Sequence, residues 1–325
     1  MIVTHYLDPD LFTAVKKKPT RDAFGLATLA MAEKDERIVV LTADVAGSVR
    51  ANWFADKFPD RFYDMGISEQ NMIAVAAGMS LEGLLPYVST FGVFITGRCY
   101  DQVRVLLAYS ETNVKLVATH TGVTVGEDGV THQMLEDVAM MQTLPKMRVI
   151  VPCDTREAIK ALTAIKDLPG PFYVRLGRQS APLVTSEDAP FEFGKALMLQ
   201  DGEDVTLIAN GVLVYEALLA ARILAEENIS ARVLNMHTVK PLDNESLMAA
   251  ALETGAFVTA EEHQCLGGLG SAVASWSSQQ NPVPLEMIGM KDEFGQSGKS
   301  DELLDYYHLR APDIVEAAHR VLKRK

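Results

Sequence analysis

The feature that most constrains this chain is a repeated pairing of short, β-branched runs with helix-patterned segments. The runs are Ile38-Val39-Val40-Leu41-Thr42-Ala43, Leu85-Pro86-Tyr87-Val88-Ser89-Thr90-Phe91, Val114-Lys115-Leu116-Val117-Ala118-Thr119, Arg148-Val149-Ile150-Val151 and Phe172-Tyr173-Val174-Arg175-Leu176. Each has the length and near-continuous apolarity of a strand buried on both faces. Between them lie segments with helical spacing: residues 20–35 with Thr20 as cap, the run after Ser68, residues 97–110, and 135–143. Parallel neighbours need a crossover connection, and a helix supplies it, so the pattern predicts a doubly wound α/β fold around a parallel sheet.

The alternation breaks over residues 179–192, rich in Pro, Ser and Asp, and a linker is expected there. Beyond it, 205–209, 231–235 and 256–260 read as strands and 214–227 as a helix, a second and smaller α/β unit. The expectation is two doubly wound domains, residues 1–185 and 186–325. A length of 325 residues with 48% hydrophobic content is enough for two cores.

Net charge is −13, and the basic blocks are confined to Lys16-Lys17-Lys18 and Lys323-Arg324-Lys325. That balance argues against nucleic acid or an anionic membrane surface as partner. An anionic substrate would need a local cluster of positive side chains. The three cysteines share no metal-type spacing and read as reduced thiols. No apolar leader opens the chain, and nowhere do about 18 apolar residues run together, so a soluble, cytoplasmic protein is expected.

Chemistry concentrates at a few places. Glu69 precedes the apolar run Ile73-Ala74-Val75-Ala76-Ala77-Gly78, which reads as a buried helix. Ser68 and Glu69 could simply cap that helix. A lone carboxylate there is costly to desolvate and tends to keep its proton, which suits proton exchange with a ring nitrogen. Asp44, Phe91 and His120 fall just past the ends of predicted strands, where open α/β sheets bind ligands. Phe91 and Phe94 are either core or an apolar wall for a flat ring. In Thr119-His120-Thr121-Gly122-Val123-Thr124-Val125-Gly126-Glu127-Asp128-Gly129-Val130-Thr131-His132-Gln133, three glycines permit close backbone approach. The two histidines and the acid fit no metal motif. Gly267-Gly268-Leu269-Gly270 lacks the full dinucleotide fingerprint and reads as structural.

Met65-Gly66-Ile67-Ser68-Glu69-Gln70-Asn71-Met72 resembles the pyrimidine-domain signature of thiamine-diphosphate enzymes: transketolases, deoxyxylulose-phosphate synthases and the β subunits of 2-oxoacid dehydrogenases. The resemblance implies that Glu69 hydrogen-bonds N1′ of the aminopyrimidine and favours the tautomer that takes the thiazolium C2 proton. It makes Phe94 the ring-stacking residue and Phe91 its neighbour. The 119–133 loop is similar to that of transketolases. By that likeness His120 contacts substrate phosphate or hydroxyl, Asp128 binds a hydroxyl, and His132 serves near the reacting carbon. Arg21, Ser48 and Arg178 match transketolase positions that hold the substrate phosphate. Tyr100-Asp101-Gln102 looks more like the synthase branch, and Gly97-Arg98 stands where transketolases carry another aromatic. The synthases carry Arg where this chain has His120, which favours transketolase.

No Gly-Asp-Gly occurs, the family's motif for diphosphate and Mg²⁺. The resemblance therefore implies half an enzyme: the C-terminal subunit of a split transketolase, with an N-terminal partner subunit supplying the Mg²⁺ ligands in an α2β2 assembly. The cofactor would be thiamine diphosphate, and the reaction a two-carbon ketol transfer from a ketose phosphate to an aldose phosphate. The alternatives are a deoxyxylulose-phosphate-synthase-like subunit, a 2-oxoacid dehydrogenase E1β-like subunit, a transketolase for a sulfonated sugar, and a non-catalytic assembly subunit.

Overall fold

The structure, a computed structural model, describes residues 5–325; the first four residues of the expected N-terminal domain lie outside them. In chain order the strands are β1 (Lys17–Pro19), β2 (Ile38–Thr42), β3 (Phe62–Asp64), β4 (Leu85–Phe91), β5 (Lys115–Thr119), β6 (Arg148–Ile150), β7 (Phe172–Arg175), β8 (Ser180–Pro182), β9 (Leu197–Gln200), β10 (Val205–Ala209), β11 (Ala231–Asn235), β12 (Thr238–Lys240), β13 (Phe257–Gln264) and β14 (Leu285–Met290). A seven-stranded sheet has the order β12-β6-β7-β5-β4-β2-β3, and a five-stranded one the order β14-β13-β10-β11-β9. In the larger sheet every pairing is parallel except that of β12 with β6. In the smaller one only β9 runs antiparallel, beside β11.

Strand β2 shows why the larger sheet is covered on both faces. Alternate side chains point to opposite faces, and every residue of β2 is buried. Val39 and Leu41 pack with Met72, Ile73 and Ala76 from the helix Glu69–Leu81. Ile38 and Val40 pack on the other face with Ala23, Phe24 and Ala27 from the helix Asp22–Ala32. Each such side chain contributes about 1.5–3 kcal/mol by leaving water, and the two-sided burial selects the β-branched composition.

The chain passes from β2 to β3 on one side and then crosses to β4 on the other. Strands β3 and β4 thus flank β2, a switch point that opens a crevice beyond the carboxyl ends of the strands. Asp44 (φ 58) and His120 (φ 54), just past the ends of β2 and β5, both sit in the left-handed region. Non-glycine residues adopt it rarely, and such positions gather at functional sites.

Four local expectations need correction. Thr20 does not cap the first helix: its hydroxyl accepts from Gly177 N at 2.6 Å, and the helix starts at Asp22. The helix expected from residue 135 starts at Asp137, since Gly122 N and Arg175 Nη2 both donate to the Met134 carbonyl. The helix expected over 97–110 is wound as π turns, Phe94–Arg98 and Val103–Tyr109, about an α turn at Tyr100–Gln102. The 179–192 stretch is partly ordered, because β8 pairs antiparallel with β1. The thiols are free, and burial pushes Cys99 up to about 12 and Cys265 up to about 11. Among the described residues no helix is long and apolar enough to cross a membrane.

Candidate active site

Glu69 is the first residue of its helix and is buried. Ser68 stands at the N-cap, but its hydroxyl donates to the Met65 carbonyl at 2.6 Å and leaves the helix N-terminus uncapped by that side chain. The partner of the Glu69 carboxylate is Arg98, whose Nη1 lies 2.8 Å from Oε1 and 2.9 Å from Oε2. The same guanidinium lies over the Phe94 ring, its central carbon 4.4 Å from the centroid. Phe94 in turn stacks on Phe91 at 5.8 Å and 18° between planes. Carboxylate, guanidinium and aromatic pair form one continuous wall at the crevice.

Phe91 links this wall to the histidines. Its ring stacks on His120 at 3.9 Å and meets His132 edge-on at 6.0 Å, while Phe94 meets His132 edge-on at 5.7 Å. His120 is buried, with Nε2 at 3.4 Å from Arg21 Nη1 and Nδ1 at 2.9 Å from the Thr119 hydroxyl. A guanidinium only donates, so Nε2 accepts and Nδ1–H faces Thr119. Burial first, then the charges of Arg21, Arg178, His132 and Arg50, depress His120 to about 3. It is neutral at pH 7.

Arg21 donates to the Ser48 carbonyl at 2.9 Å, and its Nε is buried without a partner. Burial, Arg50 and Arg178 all lower its affinity for its proton. Arg178 donates to the Val125 carbonyl at 2.7 Å and pairs with Glu127 at 3.3 Å. Arg50 donates to Asp22 at 2.7 Å. This is the local positive cluster that a chain of charge −13 needs to hold an anion.

The structure thus brings Glu69, Phe91, Phe94, His120 and His132 together and sets Arg21, Arg178 and Ser48 beside them. Asp128 is different: it is exposed near the loop tip, and its side chain makes no hydrogen bond or ion pair among the described residues. The loop is braced from the smaller unit. Thr124 N donates to Glu262 Oε1 at 2.5 Å, Ser300 donates to the Thr124 carbonyl at 2.8 Å, and Gln133 donates to the Gln296 carbonyl at 2.9 Å. Gly122 (φ +80) permits this bracing, since a Cβ there would lie 2.2 Å from the Glu262 carboxyl carbon. Arg50 escapes a reading by motif, and Arg98 is noticed only as a departure from the expected aromatic, not as the partner of Glu69. The signal for Arg98 is its spacing four residues after Phe94, which puts both on one helical face.

These residues fit the pyrimidine end of thiamine diphosphate. A buried carboxylate at a helix start faces an aromatic ring, and the group between them is a side chain 45% exposed. Among the described residues no group of three or more His, Cys, Asp or Glu could hold a metal ion.

Comparison with known proteins gives the family and fold of the chain. Residues 16–184 match the family described as "Transketolase, pyrimidine binding domain", and residues 194–314 match "Transketolase, C-terminal domain". A 6-deoxy-6-sulfo-D-fructose transketolase subunit of Clostridium sp. (strain MSTE9) is 43% identical over 305 residues, covering 94% of this chain and 95% of that one. An apulose-4-phosphate transketolase subunit of Phocaeicola vulgatus is 40% identical, covering 94% and 97%. A solved structure described as a split gene transketolase, inactive β4 tetramer, superposes with a TM-score of 0.87 at 42% identity, covering 95% of this chain and 99% of that one.

Proposed function

The chain belongs to the transketolase family, and we propose that it is the pyrimidine-holding subunit of a split transketolase that works with thiamine diphosphate and Mg²⁺. The carrying observation is the buried Glu69 carboxylate opposite Phe94 at the switch point of the larger sheet. A separate N-terminal subunit supplies the diphosphate and Mg²⁺ contacts, in an α2β2 assembly in the cytoplasm. Relatives of matching length that are named as subunits support this division. Residues 1–185 form the pyrimidine-binding domain and 186–325 the C-terminal domain, a reading supported by the two family matches.

When bound, thiamine diphosphate supplies the electron sink on which the ketol carbon–carbon bond is broken and remade. Glu69 would exchange a proton with the pyrimidine nitrogen. Phe94, backed by Phe91, offers its face to the ring. His132, half-buried against both rings, exchanges a proton near the reacting carbon. His120, neutral and stacked on Phe91, contacts the substrate phosphate or a substrate hydroxyl. Asp128 takes a sugar hydroxyl from the loop tip. Arg21, Arg178 and Ser48 grip the terminal phosphate of the sugar, for which a guanidinium fork is well shaped.

The two relatives differ in the anion their named substrates carry, a sulfonate in one and a phosphate in the other, so the test has two arms. The assembled pair of subunits, with thiamine diphosphate and Mg²⁺, is assayed with xylulose 5-phosphate and with 6-deoxy-6-sulfofructose as donors to ribose 5-phosphate or an equivalent aldose. Ketol transfer by the pair and not by this chain alone is the expected result, with the phosphate donor preferred. Transfer by the lone chain, or by the pair from pyruvate only, would overturn the reading.

A further inference from the structure

Arg98 belongs to no role assigned so far, yet it is the partner that the Glu69 carboxylate has in the site. Its Nη1 alone touches both oxygens of Glu69. A guanidinium built as a permanent partner presents two nitrogens to two oxygens, the fork geometry that gives such pairs their strength. Here one nitrogen reaches the carboxylate end-on while the flat of the group rests on Phe94. The guanidinium therefore fills the slot between acid and aromatic face with a planar, hydrogen-bond-donating group. That is the outline of an aminopyrimidine edge.

The surroundings let the side chain leave. Arg98 is 45% exposed, against 4% for the Glu69 side chain. The neighbouring Gly97 has open space where a Cβ would stand. The backbone stays anchored meanwhile, because Gln70 Nε2 donates to the Arg98 carbonyl at 3.1 Å. The segment is the π turn Phe94–Arg98, a form that gathers at functional sites.

We propose that Arg98 is a placeholder for the pyrimidine ring: in the cofactor-free protein it neutralises the buried Glu69 and covers Phe94, and it swings into solvent as the ring enters. This rests on the thiamine-diphosphate reading of the site. Before the cofactor arrives, Arg98 compensates a carboxylate that is costly to bury alone. The ring must break that pair to bind, so Arg98 weakens cofactor affinity while keeping the empty site folded.

Titration calorimetry of thiamine diphosphate into the assembled two-subunit complex, with Mg²⁺ present, tests this. Arg98→Ala should bind the cofactor about two- to fivefold more tightly than wild type, the size expected from losing a competing, partly exposed charge contact. Its melting temperature without cofactor should fall, and saturating cofactor should close the gap. Arg98→Lys keeps a charge but cannot lie flat on Phe94, so it should fall between the two, and it decides the matter if Arg98→Ala fails to assemble. Equal or weaker binding by the variants would overturn the proposal, since Arg98 would then be a bystander or a contact of the bound ring. A wild-type complex that binds no thiamine diphosphate would instead sink the functional reading itself.

Discussion

Two of the places where the chain buries carboxylates hold them in different ways. At the crevice, Glu69 relies on one half-exposed side chain, Arg98. At the junction of the two sheets, Glu261 accepts from the backbone N–H groups of Leu269 and Gly270 at 2.7 and 2.8 Å, and Glu262 accepts from Thr124 N. Around them Arg175 donates to Asp137 and to the carbonyls of Met134 and Glu262, and Tyr173 donates to Asp137. Burial pushes Glu261 up to about 7 and raises Glu262 as well. Backbone donors cannot move away, so the junction carboxylates are fixed parts of a latch between units. A side-chain donor can leave, and the carboxylate it leaves behind is free to act. The difference separates a structural acid from a working one more sharply than burial does.

Three variants probe that contrast. Glu69→Gln should lower kcat/KM of the assembled enzyme by about 10²–10³-fold, the usual share of a positioned acid–base group. Its urea midpoint should hardly move, because the lost partner is half in water. A large fall in stability with activity retained would reverse the two assignments. Glu262→Ala should do the opposite. It leaves the Thr124 N–H buried and unpaired and loosens the active-site loop, at a cost of about 3 kcal/mol of stability read by urea melts. An unchanged midpoint would mean that the latch is not fixed.

The smallest effect concerns His120. Its native value, about 3, lies below the ordinary 6.5, so from about pH 6.5 downward the unfolded chain takes up a proton that the folded chain refuses. Stability from this group is present above pH 6.5 and is lost as pH falls, by up to about 1.4 kcal/mol per pH unit. The stability difference between wild type and His120→Gln should shrink by about 2 kcal/mol between pH 7 and pH 5. Parallel pH curves would contradict a buried, neutral His120.

Much of this molecule can be read from its residues. The strands β2, β4, β5 and β7 and the Glu69 helix follow from apolar runs whose period and length are local properties. Phe91, Phe94, His120 and His132 are legible because they stand next to strand ends or in a glycine-spaced loop. The rest depends on partners distant in the chain. Strand β12 is three residues long and completes the larger sheet from within the second unit, where no local pattern distinguishes it. Thr20 carries the letter of a helix cap, yet it is spent on Gly177, 157 residues away. Arg98 is legible in sequence only as a residue standing where an aromatic is expected, and its partner Glu69 appears only in the fold. Nothing in the local pattern of the Glu261-Glu262-His263 run names its partners across the molecule. Within this chain it joins the two sheets, with Ala139 N donating to His263 and Gln142 donating to the Gly267 carbonyl.

We propose that Glu69, and not the acids of the latch, governs the proton of the bound cofactor ring. Deuterium exchange at thiazolium C2 of thiamine diphosphate in the assembled complex measures this without any sugar substrate. Quenched samples read by proton NMR should show exchange slowed at least about a hundredfold in Glu69→Gln and unchanged in Glu262→Ala once both are saturated with cofactor. Wild-type exchange rates in Glu69→Gln would contradict the account.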